Sequence, residues 1–250
     1  MPVRSALPNP QRPGVRPILF HPRRPTAGSG VPKQRKDRCL PALASSLIRL
    51  ELATSAPVIE LRQCADIIRG DIGLVLHLLR SASHFESSDR IISIDELVVD
   101  AGVDGLRSLA SGTTSSTHPS CEVRRLWMHS RLSAAIAEEL ASRVMTVEKH
   151  EGYIAGLLFH FGEILQLLGW EQKNLPVADV RDAISDTARM WGFPNILVDV
   201  IRGRRQSCSS AKGQDLLDIA VDASSWAHRL ESLGSPMLSP AKPHIRLAHG

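Results

Sequence analysis

The sequence predicts an all-α protein, a compact helical bundle, and three observations lead to this fold class. Apolar residues recur at intervals of three and four through most of residues 40–233, which is the spacing of one face of an α-helix. Glycine, proline, serine and aspartate stand at the ends of these periodic segments, where helix caps are expected. No segment alternates apolar and polar residues as a strand would, and with 43% apolar but only 4% aromatic residues the core is expected to be mainly aliphatic.

The first part of the periodic region predicts four short helices. Apolar spacing predicts amphipathic helices over 59–68 and 72–79, separated by Gly70 as a C-terminal stop and Asp71 as an N-cap. The pattern Ser93-x-x-Glu96 is a capping box, which predicts a third helix running to about residue 101. Gly102 then predicts a break before a short helix over 104–110.

A second group of helices follows a predicted loop rich in serine and threonine. The first helix of this group is rich in alanine, which favours close packing against its neighbours. The proline in the Trp-Gly-Phe-Pro corner is expected to begin the next-to-last helix, since proline suits the first helical turn. The predicted loop spans 111–120, and the predicted helices span 122–145, 148–168, 177–190, 194–203 and 214–230.

Specific core residues are predicted from the same periodicity. The last helix is predicted to bury the apolar residues of one face, and the four tryptophans are predicted to pack in the core. The residues concerned in the last helix are Leu217, Val221, Trp226 and Leu230, and the other tryptophans are Trp127, Trp170 and Trp191.

Charge and proline divide the chain into a folded body and two tails. Residues 1–38 hold nine Lys or Arg, one acidic residue and half of the sixteen prolines, so this arm carries +8 and leaves −4 for the rest of the chain. We expect residues 1–38 to be a disordered basic Pro-rich arm, residues 40–232 to be the helical domain, and residues 234–250 to be a loose tail. For the arm, a solvated tail and a segment that binds an acidic surface or nucleic acid both remain open.

Several classes of protein are disfavoured by what the sequence lacks. The four cysteines are far apart and form no C-x-x-C pair, which argues against a zinc ribbon or a disulfide framework. No P-loop, G-x-S-x-G or G-x-G-x-x-G motif occurs. The N-terminus has no signal-peptide run, and no segment approaches eighteen uninterrupted apolar residues. We therefore expect a cytoplasmic protein with no membrane contact and no cofactor.

The order of the predicted segments carries a resemblance to a known family. The segments are Leu40-Pro41, CADIIRGDIGLVLHLLRSAS, IISIDELVVDAGVDGLRSL, LWMHSRLSAAIAEELA, GLLFHFGEILQLL and WGFPNILVDVI. Over about residues 40–232 this succession resembles an HDOD domain, a bacterial all-helical relative of the HD-domain phosphohydrolases. The resemblance implies a compact helical bundle of the HD/HDOD type, generally non-catalytic, in a signalling or regulatory protein, often one joined to cyclic-di-GMP enzymes or receiver domains.

The resemblance also assigns the ancestral metal-binding positions. HD enzymes use a histidine on one helix, an adjacent His-Asp pair on the next and an aspartate on a later helix. These positions fall on His129, on Phe159 and His160, and on Ser224, while Asp222 lies two residues away and about 200° around the helix. Phenylalanine has no donor atom and the two carboxylate positions carry histidine and serine, so the resemblance implies no catalytic residue and no metal.

A vestigial pocket is expected at these positions. The paired histidines that the family often has after the Trp-x-x-Pro corner are Arg204 and Arg205 here. The pocket candidates are His129, Phe159, His160, Ser224, Arg204 and Arg205. Two interpretations stay open. In the first, the pocket binds an anion through the guanidinium groups of the two arginines. In the second, the histidines are buried and hydrogen-bonded within the bundle, and the arginines are solvated at a helix C-terminus.

Together these observations predict a non-catalytic regulatory module that acts through protein–protein interaction. The expected partner is a protein of bacterial signalling. A link of this partner to cyclic-di-GMP and a small ligand in the vestigial pocket are two further hypotheses. The alternatives are a divergent HD-type metal-dependent phosphohydrolase and, less favoured, nucleic-acid binding through the basic arm.

Overall fold

The computed structural model describes residues 41–82, 90–113, 115–116, 121–167, 177–203 and 208–234, and within these ranges the fold is all-α, as the sequence predicts. The predicted arm and, apart from Gly234, the predicted tail lie outside the described residues. No described helix is both long enough and apolar enough to cross a membrane. The helices of these ranges are α1 (Ala44–Ser55), α2 (Leu61–Arg69), α3 (Ile72–Ser81), α4 (Ile94–Gly112), α5 (Cys121–Ala141), α6 (Lys149–Leu158), α7 (Phe161–Leu167), α8 (Val177–Met190), α9 (Asn195–Arg202) and α10 (Ala211–Gly234).

One short β-pair accompanies the helices, although the sequence predicts no strand. The segments β1 (Ala42–Leu43) and β2 (Ser115–Ser116) pair in parallel. The extended β1 leads into α1, and the Leu43 amide donates to the Asp71 carboxylate over 2.7 Å. Because a two-residue segment cannot show an alternating pattern, periodicity gave no signal for this pair.

Helices α1 to α4 form the N-terminal part of the bundle, and the predicted caps are confirmed there. Asp71 is the N-cap of α3, where its carboxylate accepts hydrogen bonds from the amides of Gly73 and Leu74. Ser93 and Glu96 form the capping box of α4. The predicted break in α4 lies at Gly102, whose φ of 61° and ψ of −177° are accessible because glycine lacks a Cβ.

Small residues bring α5 and α6 unusually close together in the second part of the bundle. A Cβ added to Gly156 would lie 2.7 Å from the Ala137 Cβ and 2.8 Å from the Ser133 carbonyl oxygen. A Cβ added to Gly152 would lie 2.5 Å from the Ala141 Cβ. Helix α6 therefore lies directly on the alanine-rich face of α5, and α10 packs against both.

Two predicted helix boundaries in this part were wrong. The helix predicted over 122–145 ends at Ala141, because the amides of Arg143 and Val144 bond to carbonyls three residues earlier and tighten the chain into a turn. Helix α10 is longer than the predicted 214–230, since it begins at Ala211 and ends at Gly234.

The predictions for the apolar core were confirmed only in part. Trp127 and Trp191 are buried, and Trp170 lies outside the described residues. Trp226 and Leu230 were predicted to be buried, but they are 51% and 46% exposed. The C-terminal part of α10 turns a narrow face of small residues towards the bundle, so its larger apolar residues face outwards.

Candidate functional site

The candidate site lies where a predicted continuous helix is interrupted. The sequence predicts one helix over 148–168, but α6 ends at Leu158 and α7 begins at Phe161. Phe159 and His160 form the turn between them. The turn sends α7 towards α8, where Gly162 lies so close to Ile184 that an added Cβ would be 2.7 Å from the Ile184 Cδ1.

Four of the predicted pocket residues meet at this turn. The ring of His129, on α5, lies 4.6 Å from the ring of His160 between centroids, and the two rings are edge to face at 75°. The Phe159 ring packs against His160 at 5.3 Å. Ser224, on α10, lies 3.1 Å from His160 between Oγ and Nε2. The structure thus brings together, from three parts of the chain, the residues that the resemblance placed at the ancestral ligand positions.

Two carboxylates that the sequence analysis did not single out complete this cluster. Glu163 Oε1 lies 3.3 Å from His160 Nδ1, and Glu231 Oε2 lies 3.1 Å from His129 Nδ1. Glu231 could have been found, because it is seven residues after Ser224 and therefore shares its face of α10. The hydrogen bond from His160 lowers the pKa of Glu163, and partial burial opposes this shift.

The hydrogen bonds of His160 determine what the cluster can do chemically. A carboxylate only accepts, so His160 Nδ1 donates to Glu163, and in the neutral ring Nε2 accepts from the Ser224 hydroxyl. Both nitrogens are therefore used within the protein, on a side chain that is only 9% exposed. Among the described residues, no group of three or more His, Cys, Asp or Glu side chains is arranged to hold a metal ion.

The two carboxylates also bear on the anion hypothesis. Glu163 and Glu231 would repel an anion at the histidines, so that hypothesis depends on Arg204 and Arg205. These two arginines lie outside the described residues. The described chain stops just before them, at Gly203, whose left-handed conformation (φ 65°) caps α9.

The fold and this arrangement define an all-helical domain of the HD superfamily. The family model described as the HDOD domain matches residues 40–183, which is more than half of the chain. The chain belongs to the HDOD family.

Relatives with known structures share this fold at low sequence identity. The MmoQ response regulator from Methylococcus capsulatus str. Bath superposes with a TM-score of 0.62 at 20% identity, over 82% of this chain and 90% of its own. A virulence factor from Campylobacter jejuni subsp. jejuni superposes with a TM-score of 0.53 at 14% identity, over 76% of this chain and 79% of its own. At these identities the similarity is one of fold.

A sequence relative comes from Treponema pallidum (strain Nichols). This uncharacterized protein is 25% identical over an alignment of 191 residues, and the match covers 65% of this chain and 37% of the relative. The match therefore spans well under half of the relative's length.

Proposed function

We propose that this chain is a non-catalytic regulatory module that acts by binding a protein partner in bacterial signalling. One observation carries the proposal. The positions that match the HD ligands converge in space, yet they hold two histidines, a phenylalanine and a serine whose polar atoms bond within the cluster.

The donor set of the cluster favours a structural role over hydrolysis. A metal-dependent phosphohydrolase needs several hard donors around one cation and an open coordination position for water. Phe159 offers no donor, and each nitrogen of His160 already has a partner in Glu163 or Ser224. Binding a cation here would require breaking these bonds, and among the described residues no three or more His, Cys, Asp or Glu side chains are arranged around one point as metal ligands.

Membership of the HDOD family supports a signalling-associated role, and one solved protein with this fold is a response regulator. The charge distribution supports a protein partner for the helical domain, because the chain after residue 38 carries a formal charge of −4 and would repel a nucleic acid. We place this interaction in the bacterial cytoplasm.

Metal analysis and an activity assay on the same sample test the non-catalytic part of the proposal. We expect the purified full chain to hold well under one equivalent of Mn, Fe or Zn and to leave nucleotides, cyclic dinucleotides and generic phosphoesters intact when Mn²⁺ is added. Stoichiometric metal together with hydrolysis that His129→Ala abolishes would overturn it. His77→Ala is the matched control, because His77 lies on α3, outside the cluster.

Cross-linking in the native host followed by mass spectrometry tests the binding part. We expect one protein to be linked reproducibly to lysines or acidic residues of the helical domain. Recovery of nucleic acid alone, through the basic arm, would contradict the proposal.

A further inference from the structure

A groove between α2 and α4 is a second candidate site, formed by elements that contribute nothing to the histidine cluster. It encloses about 470 Å³ and is lined by both apolar and charged side chains. This volume falls within the range of clefts that bind ligands in proteins. Its lining residues are all on α2 and α4, which pack against each other and against α1.

The apolar lining of the groove combines a buried floor with an exposed edge. Ala65 and Val98 are each 1% exposed, whereas Val99 is 61% exposed. Exposed apolar side chains also lie on the neighbouring elements, where Leu52 of α1 is 67% exposed and Val58, just before α2, is 77% exposed. Exposed apolar side chains on the groove and on the segments that precede it favour a macromolecular partner over a small ligand.

One end of the groove is fixed by a charged side chain that is already paired. Arg69 forms an ion pair with Asp95 of α4 and lies 3.7 Å from the Glu138 carboxylate of α5. Its guanidinium also stacks over the Tyr153 ring of α6 at 5.5 Å. This end therefore joins four helices, and its Arg69 guanidinium is already paired within the protein.

Two other charged side chains of the groove have no such partners in the part of the chain that the structure describes. Arg62 and Asp66 line it one helical turn apart on α2, and among the described residues neither makes a side-chain hydrogen bond or ion pair. Their order, with the cation N-terminal, is the less favourable one for an ion pair within a helix. The groove thus presents an unpaired cation and an unpaired anion beside an apolar floor.

We propose that the α2–α4 groove binds an amphipathic helix of the partner protein. Aliphatic side chains of that helix pack on Val99 at the exposed edge of the groove, an acidic side chain pairs with Arg62, and a basic side chain pairs with Asp66. Helix α2 has nine residues and is therefore about 13 Å long. A partner helix lying along it can place about two turns in the groove, so its contact residues would stand at positions i and i+4. This inference rests on the proposed function and names the binding surface for it.

Selection from a helical peptide library tests the inference with a defined probe. A phage-displayed library of amphipathic helices is selected against the full chain alone, and each enriched peptide is then measured against the full chain and against the Val99→Asp variant. Because Val99 is largely exposed, its substitution should leave the fold intact, and circular dichroism of the variant confirms this. We expect enriched peptides with paired aliphatic residues, and fluorescence anisotropy should show their affinity falling by at least about tenfold on Val99→Asp.

Charge exchange supplies a second, independent readout. Arg62→Glu should weaken a selected peptide, and replacing the peptide's facing acidic residue by arginine should restore its affinity for that variant. Trp226→Asp, on the outward face of α10, is the matched control and should change the affinity by less than about twofold.

The outcomes separate this inference from the proposed function. Peptides that bind Val99→Asp as tightly as the unmodified chain, but lose affinity for Trp226→Asp, overturn the groove and leave the binding function intact. A self-association that Val99→Asp abolishes shows that a second copy of this chain occupies the groove and overturns the assignment to a different partner. If no peptide is enriched, the groove assignment is wrong, while hydrolysis that depends on His129 is what overturns the proposed function.

Discussion

Glu163 reports on the state of His160, because the hydrogen bond from the imidazole lowers the pKa of this carboxyl. A carboxyl whose pKa is lower in the folded protein stabilises it at pH values above its ordinary pKa of 4.5, and this contribution is lost as the pH falls through the folded value. The contribution is small, since the Glu163 side chain is 64% exposed.

We predict that His160→Leu, which has no donor, raises the pKa of Glu163 towards 4.5. The largest cause of the shift is the His160 hydrogen bond, while His129 acts only through its charge. Side-chain carboxyl NMR as a function of pH measures the value directly. His129→Leu is the control and should move it less, and an unchanged Glu163 pKa in His160→Leu would contradict the assigned hydrogen bond.

Restoring the ancestral ligand pattern tests the register of the site. The triple substitution Phe159→His, His160→Asp and Ser224→Asp places an HD-type donor set beside His129, whose ring already lies 4.6 Å from that of His160. We predict that this variant binds about one equivalent of Mn²⁺ or Zn²⁺, because carboxylate and imidazole donors would then converge on one point.

The measurement is calorimetric titration with each metal, with the unmodified chain as the reference. Moving the last aspartate by adding it at Ser225, on another face of α10, is the control and should not restore binding. A folded triple variant that stays free of metal would show that the four positions are wrongly matched.

Helix α3 depends on one buried carboxylate. Asp71 is fully buried, and it accepts hydrogen bonds from the amides of Leu43 at 2.7 Å and Gly73 at 2.9 Å and from Trp127 Nε1 at 3.4 Å. Asp71 therefore joins β1, α3 and α5 at one point. We predict that Asp71→Ala lowers the free energy of unfolding by about 3 kcal/mol, since it removes the N-cap of α3 and leaves buried N–H donors without an acceptor.

Urea denaturation measures this loss. Ser93→Ala is the comparison, because Ser93 caps α4 at a more exposed position and should cost only about 1 kcal/mol. Equal losses in the two variants would show that the buried contacts to β1 and α5 contribute little.

The contact between α5 and α6 leaves no room for a larger residue. A Cβ on Gly156 would lie 2.7 Å from the Ala137 Cβ and 2.8 Å from the Ser133 carbonyl oxygen, and backbone atoms cannot move aside as a flexible side chain can. We predict that Gly156→Ala destabilises the protein by about 3 kcal/mol in chemical denaturation. Gly112→Ala, with no atom of the described residues within 4 Å of its Cβ, should instead raise stability by about 0.5 kcal/mol.

The helices that the sequence predicts best are those with strong local signals. Asp71, the capping box at Ser93 and the break at Gly102 are all encoded within four residues of the position they control. The turn at Phe159 and His160 has no such local signal, because both residues are compatible with a continuous helix. The interruption follows instead from how α7 packs on α8. Tertiary packing decided that boundary, and it also left Trp226 exposed.

At the scale of the whole molecule, the resemblance gave the residues of the site but not their bonds. It placed His129 and Ser224 in one cluster although 94 residues separate them, and the structure brings both to His160. It gave no reason to choose Glu231, which lies on α10 beyond the family's motif. Helix spacing from His160 and from Ser224 would indicate Glu163 and Glu231 as candidates, but which imidazole each carboxylate contacts depends on how α5, α7 and α10 pack together.

The uneven distribution of charge along the chain predicts how strongly the whole molecule binds a polyanion. The full chain carries +4, but residues 1–38 alone carry +8, so their removal leaves a molecule of −4. We predict that the full chain is retained on heparin in a strongly salt-dependent way and that the chain without residues 1–38 is not retained at all. As a matched control, replacing the nine Lys and Arg of residues 1–38 by Gln should abolish retention while leaving the length unchanged. If the shortened chain still elutes at the same salt concentration as the full chain, the helical domain must itself present a basic surface. That result would contradict the proposal that the helical domain binds a protein and not a nucleic acid.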